Sequence, residues 1–99
     1  VHDLRPLRRH SMNDTLRIDA SEAASESPAL LYPLLAKSVT CWTGALERPE
    51  FLRQSQLLTE AWQGKTTVSP AVYEPGRHHF DVIDGLKDPD HPLTQTLCA

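Results

Sequence analysis

A strand, helix, strand succession in the second half of this chain narrows its possible folds more than any other pattern. Residues 37–43, Lys-Ser-Val-Thr-Cys-Trp-Thr, form a short β-branched and aromatic run stopped by Gly44, which reads as a buried strand. Pro49 then suits the first position of a helix, where its missing N–H costs nothing, and Glu50 complements the positive end of the helix dipole. Phe51, Leu58 and Trp62, with small Ser55 between them, make one apolar stripe, while Arg53, Gln56 and Glu60 lie off it. Gly64 supplies a stop at C′. Residues 66–74 alternate as a second strand, with Val68 and Val72 on one face and Ala71 and Tyr73 on the other. Pro70 cannot donate to a ladder, so it places this strand at an edge or a bulge. Strand, helix, strand and a following helix predict a parallel sheet with covering helices, joined by a right-handed crossover.

The first half is less regular. Residues 1–9 read as a strand end or loop limited by Pro6, and Asn13 or Asp14 is placed to cap a helical turn ending at Leu16. Asp19 and Glu22 have the spacing of a capping box, which predicts a second short helix to about Glu26, ended by Ser27-Pro28. Residues 29–36 are apolar around Pro33 and read as a covered connection. Beyond the second strand, Pro75-Gly76 is a turn, Val82, Ile83 and Leu86 can share a helical face, and a short helical tail follows the loop 88–92.

With 99 residues and a net charge of −3, one core is expected, and the scattered Lys and Arg residues form no phosphate-binding or polybasic patch. No nucleic acid and no membrane are expected as partners. Cys41 and Cys98 have neither a metal-type spacing nor the density of a disulfide scaffold, which predicts free thiols and a cytoplasmic setting. The chain starts at Val1, in what reads as a strand end, so truncation of a longer domain is the expectation.

In parallel sheets the working residues gather in loops beyond the carboxyl ends of the strands. Glu47 and His79 both occupy that class of loop, so an acid and a histidine would share one rim. Such a pair serves acyl transfer: the carboxylate orients the imidazole, which shuttles the proton. Taken by spacing alone, Glu47 also reads as a solvated carboxylate by a helix start, and His79 as a turn histidine with a backbone partner. His78 and His79 are adjacent, yet the five histidines show no zinc-motif spacing, and no metal is expected. Asp81 and Asp84 read as a solvated helix start, Trp42 and Trp62 as core residues, and Phe80 as an anchor that packs its loop.

Three segments then carry a family likeness: Asp3-Leu4-Arg5-Pro6-Leu7, residues 44–55 reading G-A-L-E-R-P-E-F-L-R-Q-S, and residues 76–84 reading G-R-H-H-F-D-V-I-D. Together with Asp88-Pro89-Asp90-His91-Pro92-Leu93, they make the chain resemble the C-terminal part of α/β-hydrolases, most closely the kynurenine formamidase (arylformamidase) and esterase group. The resemblance implies an α/β fold, the C-terminal portion of a three-layer sandwich that is incomplete by itself. It assigns the triad acid to Glu47, with Glu50 as second choice, and the triad base to His79, although His78 departs from the Asn or Asp expected before it. Residues 1–99 would be one fragment, with 7–28 a lid-like helical insertion and 37–99 the acid and histidine half. Met12, Leu16 and Ile18 are candidates to line an acyl or aryl pocket or are plain packing residues.

The G-x-S-x-G turn that carries a serine nucleophile in this family is not in the sequence. The implied activity is hydrolysis of a small-molecule ester or formamide, N-formylkynurenine being one such substrate, without a cofactor. The serine and oxyanion hole would lie upstream, and the 99-residue chain alone would be inactive. Its partner would be the missing N-terminal part of the domain or a second copy. The rival reading is a non-catalytic remnant, an association or binding module that folds by pairing an exposed strand edge.

Overall fold

The computed structural model describes residues 1–34 and 38–98. The expected strand at 37–43 is realised, within the described residues, as β1 (Ser38–Val39) and β2 (Trp42–Gly44). They pair in parallel with β3 (Thr67–Val68) and β4 (Val72–Glu74) respectively. Between the two ladders Ser69, Pro70 and Ala71 stand opposite only Thr40 and Cys41, so the second strand carries the bulge that Pro70 foretold. Backbone bonds from Ser69 N–H to Val39 O (3.0 Å) and from Val72 N–H to Cys41 O (2.8 Å) close the bulge at either end.

The crossover is α3 (Pro49–Ala61), with Pro49 in its first turn and Arg48 entering in an extended conformation, as expected. Leu58 and Ser55 are buried on its inner stripe. Leu58 joins Ala29 and Cys41 in a small core, against which Val39, Leu57, Ala61, Trp62 and Ala71 pack. The Trp62 indole N–H reaches Pro28 O (3.2 Å) and Leu31 O (3.1 Å), tying the preceding connection to the end of the helix. Trp62 is itself the C-cap, so Gly64, at φ +76°, turns the chain two residues past the cap and not at C′. The result is a mixed α/β fold of parallel strands and helices.

In the first half, a 3₁₀ helix (Arg5–Arg9) precedes α1 (Asn13–Leu16) and α2 (Ala20–Ser25). Asp19 caps α2 by accepting from Glu22 N–H at 2.8 Å, as its spacing predicts. Asn13 does not cap α1. It lies inside the turn, and its amide brackets Ile18, accepting from the Ile18 N–H (2.8 Å) and donating to its carbonyl (3.2 Å). That bracket holds the tight exit at Arg17, whose φ is +54°.

Three expectations about burial fail. Of the connection at 29–36, Ala29 and Pro33 are buried, whereas Leu30, Leu31, Tyr32 and Leu34 are 48%, 48%, 62% and 85% exposed; Leu35 and Ala36 lie outside the described residues. Val82, Ile83 and Leu86 do not share a buried face. Their segment is a 3₁₀ helix (Val82–Lys87), whose three-residue repeat turns Val82 and Gly85 inward and leaves Ile83 and Leu86 outside. Phe80 is 84% exposed and makes edge-type ring contacts with His78 and His79, so it does not anchor its loop by burial. The chain closes with α4 (Pro92–Cys98), the expected tail. Cys41 is buried and Cys98 exposed, both as free thiols. Among the described residues no helix is long and apolar enough to cross a membrane.

Two buried polar residues that sequence reasoning passed over fix the N-terminal segment. Gln54 accepts from the His2 and Asp3 N–H groups (2.9 and 2.7 Å) and donates to Asp3 O (3.0 Å) and to Glu50 (2.8 Å). Ser27 accepts from Leu4 N–H at 2.7 Å and donates to Ala23 O. The only sequence signal was position: Gln54 stands one residue before Ser55 on the inner stripe.

Candidate active site

Gly44 ends β2 and Glu74 ends β4, so the two following loops leave neighbouring parallel strands on the same rim. They are laced together: Ala45 N–H donates to Glu74 O (2.8 Å) and Leu46 N–H to Arg77 O (2.9 Å). The approach is close enough that a Cβ on Gly44 would lie 2.3 Å from the Arg77 carbonyl oxygen. The lacing brings Glu47, on the first loop, to His79, on the second.

Their geometry is specific. Glu47 Oε1 lies 2.8 Å from His79 Nδ1, and Glu47 Oε2 accepts from Gly44 N–H at 2.7 Å. The Glu47 side chain is 5% exposed and that of His79 54%. An ionised carboxylate can only accept, so Nδ1 carries the proton and the Nε2 lone pair is left over. Nε2 has no protein partner among the described residues. The His79 ring stacks on Phe51, centroids 5.0 Å apart and planes 22° from parallel, and meets Phe80 edge-on at 5.2 Å.

The alternatives weighed for the pair are engaged elsewhere. His78 Nδ1 accepts from Phe80 N–H (3.1 Å), its own N–H donates to Asp81 (2.7 Å), and its Nε2 lies 3.4 Å from the same carboxylate. Asp81 and Asp84 do stand at a helix start, that of the Val82–Lys87 3₁₀ helix, but the Asp81 carboxylate turns back on His78 and is not left to solvent. Glu50 makes a two-pronged pair with Arg53 (2.7 and 2.9 Å) and accepts from Gln54. The Arg53 bonds, then the Gln54 bond, hold its carboxyl down to about 2. Asp3, bonded through both oxygens to Arg5, is likewise held below the ordinary range.

These two depressed carboxyls set an acid limit to stability. Each contributes above its unfolded value, 4.5 for Glu50 and 3.8 for Asp3, and the contribution disappears as pH falls through the lower folded value, near 2 for Glu50. Urea unfolding of the wild type should therefore weaken between pH 5 and 2, and Glu50→Gln should flatten part of that slope. The Glu50 side chain is 49% exposed, so solvent screening keeps its share below about 1 kcal/mol. An unchanged slope in the variant would show that the Arg53 pair contributes nothing.

A second acid and histidine pair escaped sequence reasoning. His91 Nε2 lies 2.7 Å from Glu74 Oε1, and the Trp42 indole N–H donates to Glu74 Oε2 (3.2 Å). His91 Nδ1 accepts from Leu93 N–H (3.0 Å) at the start of α4, so both ring nitrogens are used and no lone pair is left for proton transfer. This pair fastens the C-terminal helix to β4, with the imidazole seated against Gly85. A histidine directly before Pro92 at a helix start was the available clue.

Two recesses flank Glu47 and His79. An open apolar cleft of about 900 Å³ is bordered by Leu7, Met12, Leu46, Arg48, Phe51 and Phe80, and a smaller one of about 240 Å³ by Trp42, Thr43, Ser55 and Val82. Met12 thus borders the cleft, whereas Leu16 and Ile18 lie off it. Among the described residues no three His, Cys, Asp or Glu side chains are grouped to hold a metal ion.

The chain is similar to part of each of two longer proteins. No protein-family model matches the chain. A solved structure of a protein from Silicibacter sp., described as a candidate thioesterase, superposes with a TM-score of 0.89 at 41% identity over 99% of this chain and 36% of its own. A kynurenine formamidase from Salmo salar is 28% identical over 98% of this chain and 35% of its own length. The chain therefore spans about a third of the length of either protein.

Proposed function

We propose that the chain supplies the acid and the base of a serine hydrolase of arylformamidase or carboxylesterase type. The observation that carries the reading is the Glu47 to His79 contact: a buried carboxylate, fixed by Gly44 N–H, holds Nδ1 at 2.8 Å, leaves Nε2 without a partner among the described residues, and belongs with His79 to the lining of the cleft. In that arrangement His79 takes the proton of an attacking hydroxyl and returns it to the leaving group, while Glu47 holds the tautomer and stabilises the imidazolium. The nucleophile and oxyanion hole belong to a further part of a three-layer α/β domain, residues 7–28 forming its lid and 37–99 its acid and histidine half. That further part, or a second copy, is the partner. The chain alone is inactive, because triad members act as a unit.

The substrates are small acyl compounds with a cleavable carbonyl: an aryl formamide such as N-formylkynurenine or an ester, as the Salmo salar relative favours, or a thioester, as the Silicibacter neighbour favours. Free thiols at Cys41 and Cys98 accord with a cytoplasmic setting. A second reading, an association module without catalysis, draws on the exposed run of Leu30, Leu31, Tyr32 and Leu34.

Native mass spectrometry of the species isolated from its source, followed by a fluorophosphonate probe and a panel of aryl formamide, ester and thioester, separates the two. A species carrying a reactive serine, hydrolysing one of the panel and silenced by the probe, is expected. A lone chain or homo-oligomer that neither labels nor hydrolyses would leave the association module.

A further inference from the structure

One hydrogen bond fixes one atom of the His79 ring and leaves the ring free to swing about it. A base that must meet a hydroxyl on one side and a leaving group on the other needs its plane set as well, since small misplacements cost rate. Glu47 cannot do that. We propose that Phe51 is the positioning residue of His79, its ring stacked on the imidazole and setting the plane of that ring, and with it the direction of Nε2. The proposal rests on the reading of Glu47 and His79 as acid and base.

The contact has the right form and the right support. Centroids 5.0 Å apart with planes 22° from parallel lie within the range of favourable aromatic stacking. Phe51 stands in the first turn of α3, where its N–H bonds to Arg48 O (2.9 Å) and its stripe neighbour Ser55 is bonded to Thr43 of β2. The ring is therefore held by a helix that is itself pinned to the strand preceding Glu47. Phe80 lacks such backing: it meets His79 only at 83° and is 84% exposed.

Histidine-selective ¹⁵N NMR of the 99-residue chain tests this without a substrate. Wild type should show His79 as the Nδ1–H tautomer, with a protected low-field Nδ1 proton and ring protons shifted upfield by the Phe51 ring current. Phe51→Leu should lose the protected proton, and Phe51→Tyr should keep it. Leu57→Ala, which thins the core without touching His79, should lower stability and keep it too. In the working enzyme Phe51→Leu should lower kcat about three- to tenfold with little change in KM.

A protected proton unchanged in Phe51→Leu would overturn the role of Phe51 and leave the acid and base reading intact. Absence of the Nδ1 signature from wild type would overturn both. Should the leucine variant fail to fold, the wild-type ring-current shift decides: its presence supports the stack, and its absence overturns it.

Discussion

If Glu47 and His79 act as the proposed acid and base, His79→Ala in the complete protein should lower kcat/KM by roughly four to six orders of magnitude and Glu47→Ala by roughly three to four, while His78→Ala should cost less than about tenfold. The ranking follows from the geometry. His79 alone presents a free Nε2 beside a buried carboxylate, whereas His78 is folded back on Phe80 N–H and Asp81. Glu47→Gln separates chemistry from structure. The amide oxygen can still accept from Gly44 N–H, preserving the loop, but the amide nitrogen then donates to Nδ1 and forces the proton onto Nε2, where the base should be. Steady-state kinetics of the three alanine variants and Glu47→Gln, beside their urea midpoints, checks the assignment. A loss larger in His78→Ala than in His79→Ala would exchange the roles of the two histidines. Full activity in Glu47→Gln would remove Glu47 from the chemistry.

Gly44→Ala should destabilise the fold by about 3 kcal/mol and part the two loops of the site. The added Cβ would lie 2.3 Å from the Arg77 oxygen and 2.7 Å from its carbon, both backbone atoms that no rotamer change can move. Relief requires breaking the Leu46 to Arg77 bond, which is the lacing that brings Glu47 to His79. Gly64 is the control. A Cβ there meets nothing within 4 Å, and its cost, about 1 kcal/mol, comes from the positive φ of +76° alone. Urea unfolding of both variants, with the His79 imidazole signals followed by NMR, measures the difference. A Gly44→Ala variant no less stable than Gly64→Ala would show that the loops can separate at little cost.

What could be read without coordinates was local. Pro49 at the helix start, the ladder break at Pro70 and the Asp19 to Glu22 spacing each act within a few residues through sterics or a single side-chain bond, and each appears where expected. Residues far apart gave weaker signals. A family likeness singled out Glu47 and His79, yet their 2.8 Å contact depends on the lacing of two loops 30 residues apart, which no local pattern encodes.

Burial was the least legible property. Ile83, Leu86, Leu34 and Phe80 are apolar and look like core, yet they stay exposed, because a 3₁₀ repeat and a two-stranded sheet offer little surface to cover them. Gln54 and Ser27 are polar and look like surface, yet they are buried because backbone donors of the N-terminal segment converge on them. The sequence alone placed the start of the long helix and of the Ala20–Ser25 helix, and the residue types able to carry proton transfer, since these follow from short-range preferences, whereas it missed the 3₁₀ helix at Arg5–Arg9. Which histidine keeps a free nitrogen beside a buried carboxylate follows from the chain path, which brings Glu47 to Nδ1 of His79 and leaves its Nε2, whereas Glu74 meets His91 with the other ring nitrogen already used by Leu93 N–H.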